Sequence, residues 1–364
     1  MIKITTTNIR KILIILCLGF SINPLLAQES EGIAGFISKF SIQGSVDTYF
    51  RTNFNGLNKF EYDENENIIG SPQAPATSFA NDPGFALGMA NVILGYEGEK
   101  VGFVADLVIG PRGEDAVFLS GPSTNLVNQL YVYYNVSEKL TLTLGNFNTF
   151  LGYEVISPVG NFNYSTSYMF SYGPFSHTGL KADFSFSDNW SGMLAIMNPT
   201  DWTEFDPFGL YSFGGQLGYS TDSGSAFLNV LYGEQAPNTS ATFQIDLTTG
   251  WDITTVFYLG LNTTYSSNGE GFYGAALYPQ FKTSENFALG LRAEYFEEMK
   301  DGGPVYGAGV KTYDFTLTGN YTVGSLSIKP ELRLDSVSED VFVNTNLLPT
   351  NKLSSFILAA VYAF

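Results

Sequence analysis

The chain has 364 residues, with 15% aromatics, 38 glycines and only 14% charged residues, against about 25% charge in an ordinary soluble domain. A formal charge of -18 argues against nucleic acid as a partner. Beyond the first thirty residues no segment reaches the ~18 apolar residues of a spanning helix, so any membrane crossing must be made by strands.

Residues 1–27 read as a cleaved secretory signal. Lys3, Arg10 and Lys11 form its charged region, Ile12 to Phe20 its apolar core, and Pro24 to Ala27 lead to a cut before Gln28. Cleavage removes Cys17, the only cysteine, and leaves 14 basic against 35 acidic residues, a charge of -21. Anchoring through Cys17 is the alternative, but Leu16 stands where such signals carry a small residue. Residues 28–39 read as a short N-terminal segment and 40–364 as a single domain.

From residue 40 the chain alternates apolar and polar residues in segments of about ten, the period of a strand with two unlike faces. Strands are predicted at 40–51, 85–97, 100–110, 125–137, 139–150, 176–187, 189–198 and 211–220. The second half adds 224–234, 241–250, 254–265, 271–281, 286–298, 312–323, 325–337 and 354–364. Residues 325 to 335 show the pattern best: Leu326, Ile328, Leu332 and Leu334 fall on one face, and Lys329, Glu331, Arg333 and Asp335 on the other. Short connections built from turn residues, such as 98–100, 221–224 and 284–286, alternate with longer ones at 52–84, 111–124, 151–175, 199–210, 299–311 and 338–353. Sixteen strands with polarised connections predict an all-β fold, a transmembrane antiparallel up-and-down barrel with both termini on the short-turn side. A secreted soluble β protein would also alternate, but it does not require the loop polarity. The chain ends with Phe356, Leu358, Tyr362 and Phe364 on one face. Tyr362 and Phe364 resemble the terminal signal by which the barrel-assembly machinery recognises outer-membrane strands.

A barrel of this size leaves a water-filled lumen. The strand phase points Arg51, Lys181, Arg292, Lys329 and Arg333 inward, with Asp47, Asp106, Asp183, Asp246, Glu294, Asp314, Glu331 and Asp335. Five positive and eight negative charges predict a pore wall of about -3 and a mild cation preference. Local pairing of Arg292 with Glu294, or of Lys329 with Glu331, is the structural alternative. The connection 151–175 contains Tyr153, Phe162, Tyr164, Tyr168, Phe170 and Tyr172, and Glu154 is its one charge. So apolar a loop needs a surface to pack on. The lumen, where it would form a constriction, or a neighbouring subunit would serve.

Catalysis has little support: His177 is the sole histidine and no nucleophile motif accompanies it. Asp63, Asn65 and Asn67 have the opening spacing of a calcium loop, but Ile68 and Ala74 replace its turn Gly and bidentate Glu. Loose bridging of acidic loops by divalent cations remains open. No cofactor, catalytic residue or metal site is implied.

The run 142–147, Gly152-Tyr-Glu154, Asn163-Tyr-Ser-Thr-Ser-Tyr168 and Gly173-Pro-Phe-Ser-His-Thr-Gly179 resemble the OmpL-like (Bbp2-type) β-barrel porins of bacterial outer membranes. The resemblance covers roughly residues 85–200, with the second half matching in architecture. It implies an outer-membrane porin, integral in the membrane after export through the periplasm, with lipids around it and small hydrophilic solutes or ions inside. Analogy with porins adds a homotrimer. A barrel plugged by its own loops, with a structural or adhesive role and no conductance, is the other reading.

Overall fold

The computed structural model describes residues 33–364. The predicted signal 1–27 lies outside the described residues, as do residues 28–32. Two compact units are distinguished, 1–39 and 40–364; in the first, only a helix, Ile33–Ile37, is described.

The second unit is a closed barrel. Its strands begin with β1 (Phe40–Asn53), after which the first long loop makes a small hairpin of β2 (Glu61–Tyr62) and β3 (Ile68–Gly70). β4 (Gly84–Glu97), β5 (Val101–Ile109), β6 (Val127–Ser137), β7 (Leu140–Asn148), β8 (Ser176–Ser185) and β9 (Trp190–Met197) follow. Next come β10 (Ser212–Thr221), β11 (Gly224–Gly233), β12 (Thr242–Asp252), β13 (Phe257–Ser267) and β14 (Gly271–Lys282). β15 (Phe287–Glu298), β16 (Lys311–Val323) and β17 (Leu326–Val337) lead to a last loop hairpin of β18 (Phe342–Val343) and β19 (Pro349–Thr350), and then to β20 (Lys352–Ala363). Sixteen of these strands form the barrel, each antiparallel to its neighbours, and β1 pairs with β20 from Ser45↔Ala363 to Asn53↔Ser355. Gly44 and Phe364 exchange both backbone hydrogen bonds at the end of that seam. Closure satisfies every strand edge, which a lipid environment demands. Each predicted strand is present, with ends within three residues.

The alternation sorts two environments. Outward positions hold Ile42, Leu94, Leu130, Leu144, Leu194, Leu217, Leu277 and Leu317, all exposed, as lipid-facing residues must be. Aromatic clusters mark both rims: Tyr273, Tyr295 and Tyr313 at the loop end, and Trp190, Tyr219 and Trp251 at the turn end. Tyr362 and Phe364 are likewise exposed on the outer face.

Candidate functional site

The loop between β7 and β8 turns into the lumen and supplies much of its core. Tyr164, Thr166 and Tyr168 are fully buried, and Asn163, Ser165, Ser167, Met169 and Phe170 nearly so. A stretch of backbone this deeply buried needs hydrogen-bond partners for its N–H and C=O groups. A one-turn helix, Tyr168–Ser171, with Ser167 capping Phe170 N–H, supplies a few. The barrel wall supplies the rest.

Carboxylates take the N–H groups. Glu331 accepts from Tyr164 N–H at 2.8 Å and Ser165 N–H at 3.2 Å; Glu294 accepts from Tyr168 N–H at 2.9 Å and Met169 N–H at 2.8 Å. Glu154, the loop's own acid, accepts from Ser167 N–H at 2.7 Å. Cations take the carbonyls. Arg292 Nη1 donates to Ser165 O at 2.6 Å, Arg333 Nη1 to Thr166 O at 2.8 Å, and Lys329 Nζ to Pro158 O and Asn161 O at 2.9 and 2.5 Å. Hydroxyls complete the set: Tyr164 OH donates to Asp47 at 2.5 Å and Tyr168 OH to Asp335 at 3.1 Å.

Strand register explains how so many charges coexist. Glu294, Asp314 and Asp335 lie directly opposite one another across β15, β16 and β17, an acidic row that would repel itself. Arg292 and Arg333 flank that row on either side of Thr316 and neutralise it. Arg292 reaches Asp314 and Glu154, both at 2.7 Å, and Arg333 reaches Asp335 at 2.8 Å and Asp314 at 3.5 Å. The local pairs offered as the alternative, Arg292 with Glu294 and Lys329 with Glu331, give way to this arrangement, because the loop brings nearer partners to each.

The remaining inward charges are placed as follows. Asp106 is held by the side-chain amides of Asn91, Asn128 and Gln129, and Asp246 by those of Asn229 and Asn262 with the Thr264 hydroxyl and Gly152 N–H, so neutral donors bind both carboxylates. Arg51 donates to Gln73 O at 2.9 Å in the first long loop. Eleven of the thirteen are buried. Only Lys181 and Asp183, paired at 3.1 Å with side chains 25% and 40% exposed, face open space. Lys181 also lies over the Phe147 ring, 5.4 Å from its centroid.

The loop aromatics have sockets in the wall. Tyr153 stacks on Tyr278 at 4.2 Å and shares a hydrogen bond with Tyr258 OH; its hydroxyl occupies the space a Cβ on Gly260 would need. Phe162 does the same at Gly290. Phe170 packs on Phe79 and Phe175, and Tyr172 donates to Ala76 O. His177 is buried beside Phe150, its Nε2 3.0 Å from Thr149 Oγ1. Asp63 spends its carboxylate on Asn65 and Asn67 inside the β2–β3 hairpin.

Two contributors escape sequence reasoning. Arg112, in a short helix Pro111–Ala116, donates to Ile156 O and Tyr164 O and lies 4.7 Å from the Phe79 and Tyr164 ring centroids. The segment 76–79 follows the first loop inward, where Ser78 N–H donates to Ser171 Oγ. Both sit in connections where no strand phase marks direction. The available signal is the cluster of small and apolar residues at 74–80, unusual for a water-exposed loop.

The profile of the family described as "Putative beta-barrel porin-2, OmpL-like" matches residues 39–364. No curated protein matches the sequence. Among solved structures, an anion-selective porin from Comamonas acidovorans superposes with a TM-score of 0.59 at 12% identity, over 89% of this chain and 99% of that one. Outer-membrane OmpT of Vibrio cholerae gives 0.53 at 9% identity, over 89% and 97%. A porin refined at 1.8 Å gives 0.53 at 10% identity, over 89% and 100%.

Proposed function

Because the chain belongs to the OmpL-like family of β-barrel porins of the bacterial outer membrane, we propose that it is a passive diffusion channel for small hydrophilic solutes or ions. The observation that carries this reading is the one-sided placement of the 151–175 loop. It is fastened along the arc from β12 through β17 to β1, while Lys181 and Asp183 on β8 stay open to solvent on the other side. A passage beside the loop would be narrowed by it without being closed.

In this reading the long loops face outward and the short turns face the periplasm, through which the chain is exported after its signal is removed. Tyr362 and Phe364, in the strand that closes the barrel, serve recognition by the assembly machinery. Since most wall charges are spent on the loop, ion preference is mild, set by Lys181, Asp183 and the acidic excess of the external loops. A homotrimer in the lipid bilayer is the assembly this reading adopts.

The deep burial of the loop favours a second reading, a plugged barrel with a structural or adhesive role. Planar-bilayer recording separates the two. Wild type should give steady openings, and deleting residues 156–172 should raise single-channel conductance. Silence from both folded proteins would overturn the channel, and equal conductance would remove the loop from the pore.

A further inference from the structure

At the loop end of the barrel a cavity of about 350 Å3 opens between the stem of the inward loop and the rims of β11 to β14. That volume lies within the range of small-molecule sites. Gln244, on β12, points into it. The residue is 5% exposed, and among the described residues its carboxamide has no hydrogen-bond partner. Neither polar atom of the amide is sealed off from the cavity, so the carboxamide is free to hydrogen-bond whatever fills that space.

A second group is aimed at the same space. Asp201 Oδ1 accepts from Phe175 N–H at 2.7 Å and Ser176 N–H at 2.9 Å, which fixes the carboxylate and leaves Oδ2 free on the cavity side. Between these groups the lining is aromatic and apolar, with Tyr172, Phe272 and Leu231. No cation lines the cavity, and its other carboxylate, Glu270, is exposed at the rim.

We propose that this cavity is a binding site for a neutral polyhydroxylated solute of mono- or disaccharide size, held by Gln244 and Asp201. The chemistry selects the class. A carboxamide offers both a donor and an acceptor, and hydroxyl groups answer both, whereas an ammonium has nothing to accept the amide N–H. The fixed carboxylate accepts a further hydroxyl in a charge-assisted bond. Aromatic faces suit the C–H side of a sugar ring. Anions are disfavoured by the two carboxylates. The inference names the solute class for the proposed channel, yet the binding step stands whether or not the barrel conducts.

The test is calorimetric titration of the full detergent-solubilised barrel with glucose, maltose and sucrose, with lysine as the amine probe. At least one saccharide should bind saturably at one site per chain. Gln244→Leu, which keeps volume, should weaken it at least tenfold, and Asp201→Asn, which keeps the Oδ1 acceptor, should weaken it less. Heat-modifiable mobility in gels confirms that each variant is folded. Absence of saturable saccharide binding, saturation by lysine alone, or saccharide affinity unchanged in both variants overturns the proposal. A barrel that binds saccharide yet passes no current would sink the channel reading and leave this site standing.

Discussion

The wall arc that runs from β15 through β17 to β1 and the arc from β7 to β11 face the same lumen, yet they are built from different chemistry. The first carries Arg292, Glu294, Asp314, Lys329, Glu331, Arg333, Asp335, Asp47 and Arg51, every one buried. The second presents Thr143, Met193, Ala195, Gly214, Gln216 and Asn229, with Lys181 and Asp183 as its charged pair. Charge in the first arc serves to hold a folded-in loop whose own sequence is almost free of charge. The difference teaches that inward direction and water contact are separate properties: strand phase fixes the first, and what the loops cover fixes the second.

The largest effect expected from breaking the loaded arc is at Arg292. Its guanidinium joins Glu154, Asp314 and the Ser165 carbonyl in a site with no exposure. Arg292→Met strands two buried carboxylates, and removing one partner of such a group costs about 3–5 kcal/mol. The temperature at which the barrel loses its fast gel mobility should fall well below that of wild type. A transition unchanged within error would mean that the loop is held by its aromatic packing alone.

Much of this contrast is legible in the amino-acid sequence. The alternation at 325–335 places Lys329, Glu331, Arg333 and Asp335 on one face because lipid and interior reward opposite residue types at every second position. The hydrophobicity of 151–175 likewise calls for a packing surface. What the pattern does not encode is the path of an irregular segment. Nothing in the spacing of Glu331 reveals that its partners are two backbone N–H groups 166 and 167 positions away. Arg112 is harder still, since it stands outside any strand and its role depends on the loop it meets. One physical clue does exist: a loop with fourteen buried residues and a single charge must find partners for its peptide groups, and the wall is the abundant source.

Asp201 gives an intermediate effect and sharpens the contrast, because it is a carboxylate bound without a cation. Burial pushes it up to about 6, and the N–H groups of Ser176 and Phe175 only partly oppose this. A folded-state value above the ordinary one near 4 means that its contribution to stability is complete below about pH 4 and is lost as pH rises through 6. The change is of the order of 2 kcal/mol. Melting wild type and Asp201→Asn across pH 4 to 8 checks it: wild type should lose stability relative to the variant between pH 4 and 7. Parallel curves would place the carboxyl in ordinary solvent.

The smallest effect on stability and the most informative for transport belongs to Lys181. Its pair with Asp183 is partly solvated, and such pairs contribute about 0–1 kcal/mol, so Lys181→Gln should leave the gel transition nearly where it was. Its consequence is electrostatic. Removing the cation leaves the Asp183 carboxylate alone on the bare arc, where a solute moving past the loop would meet it. In a planar bilayer under a salt gradient, the reversal potential should move toward that of a cation-preferring pore. The same exchange at Lys329, whose charge is locked onto the carbonyls of Pro158 and Asn161, should disturb the loop more than the selectivity. If Lys181→Gln leaves the reversal potential unchanged while Lys329→Gln shifts it, ions run along the loaded arc, and the two halves of the wall have their roles exchanged.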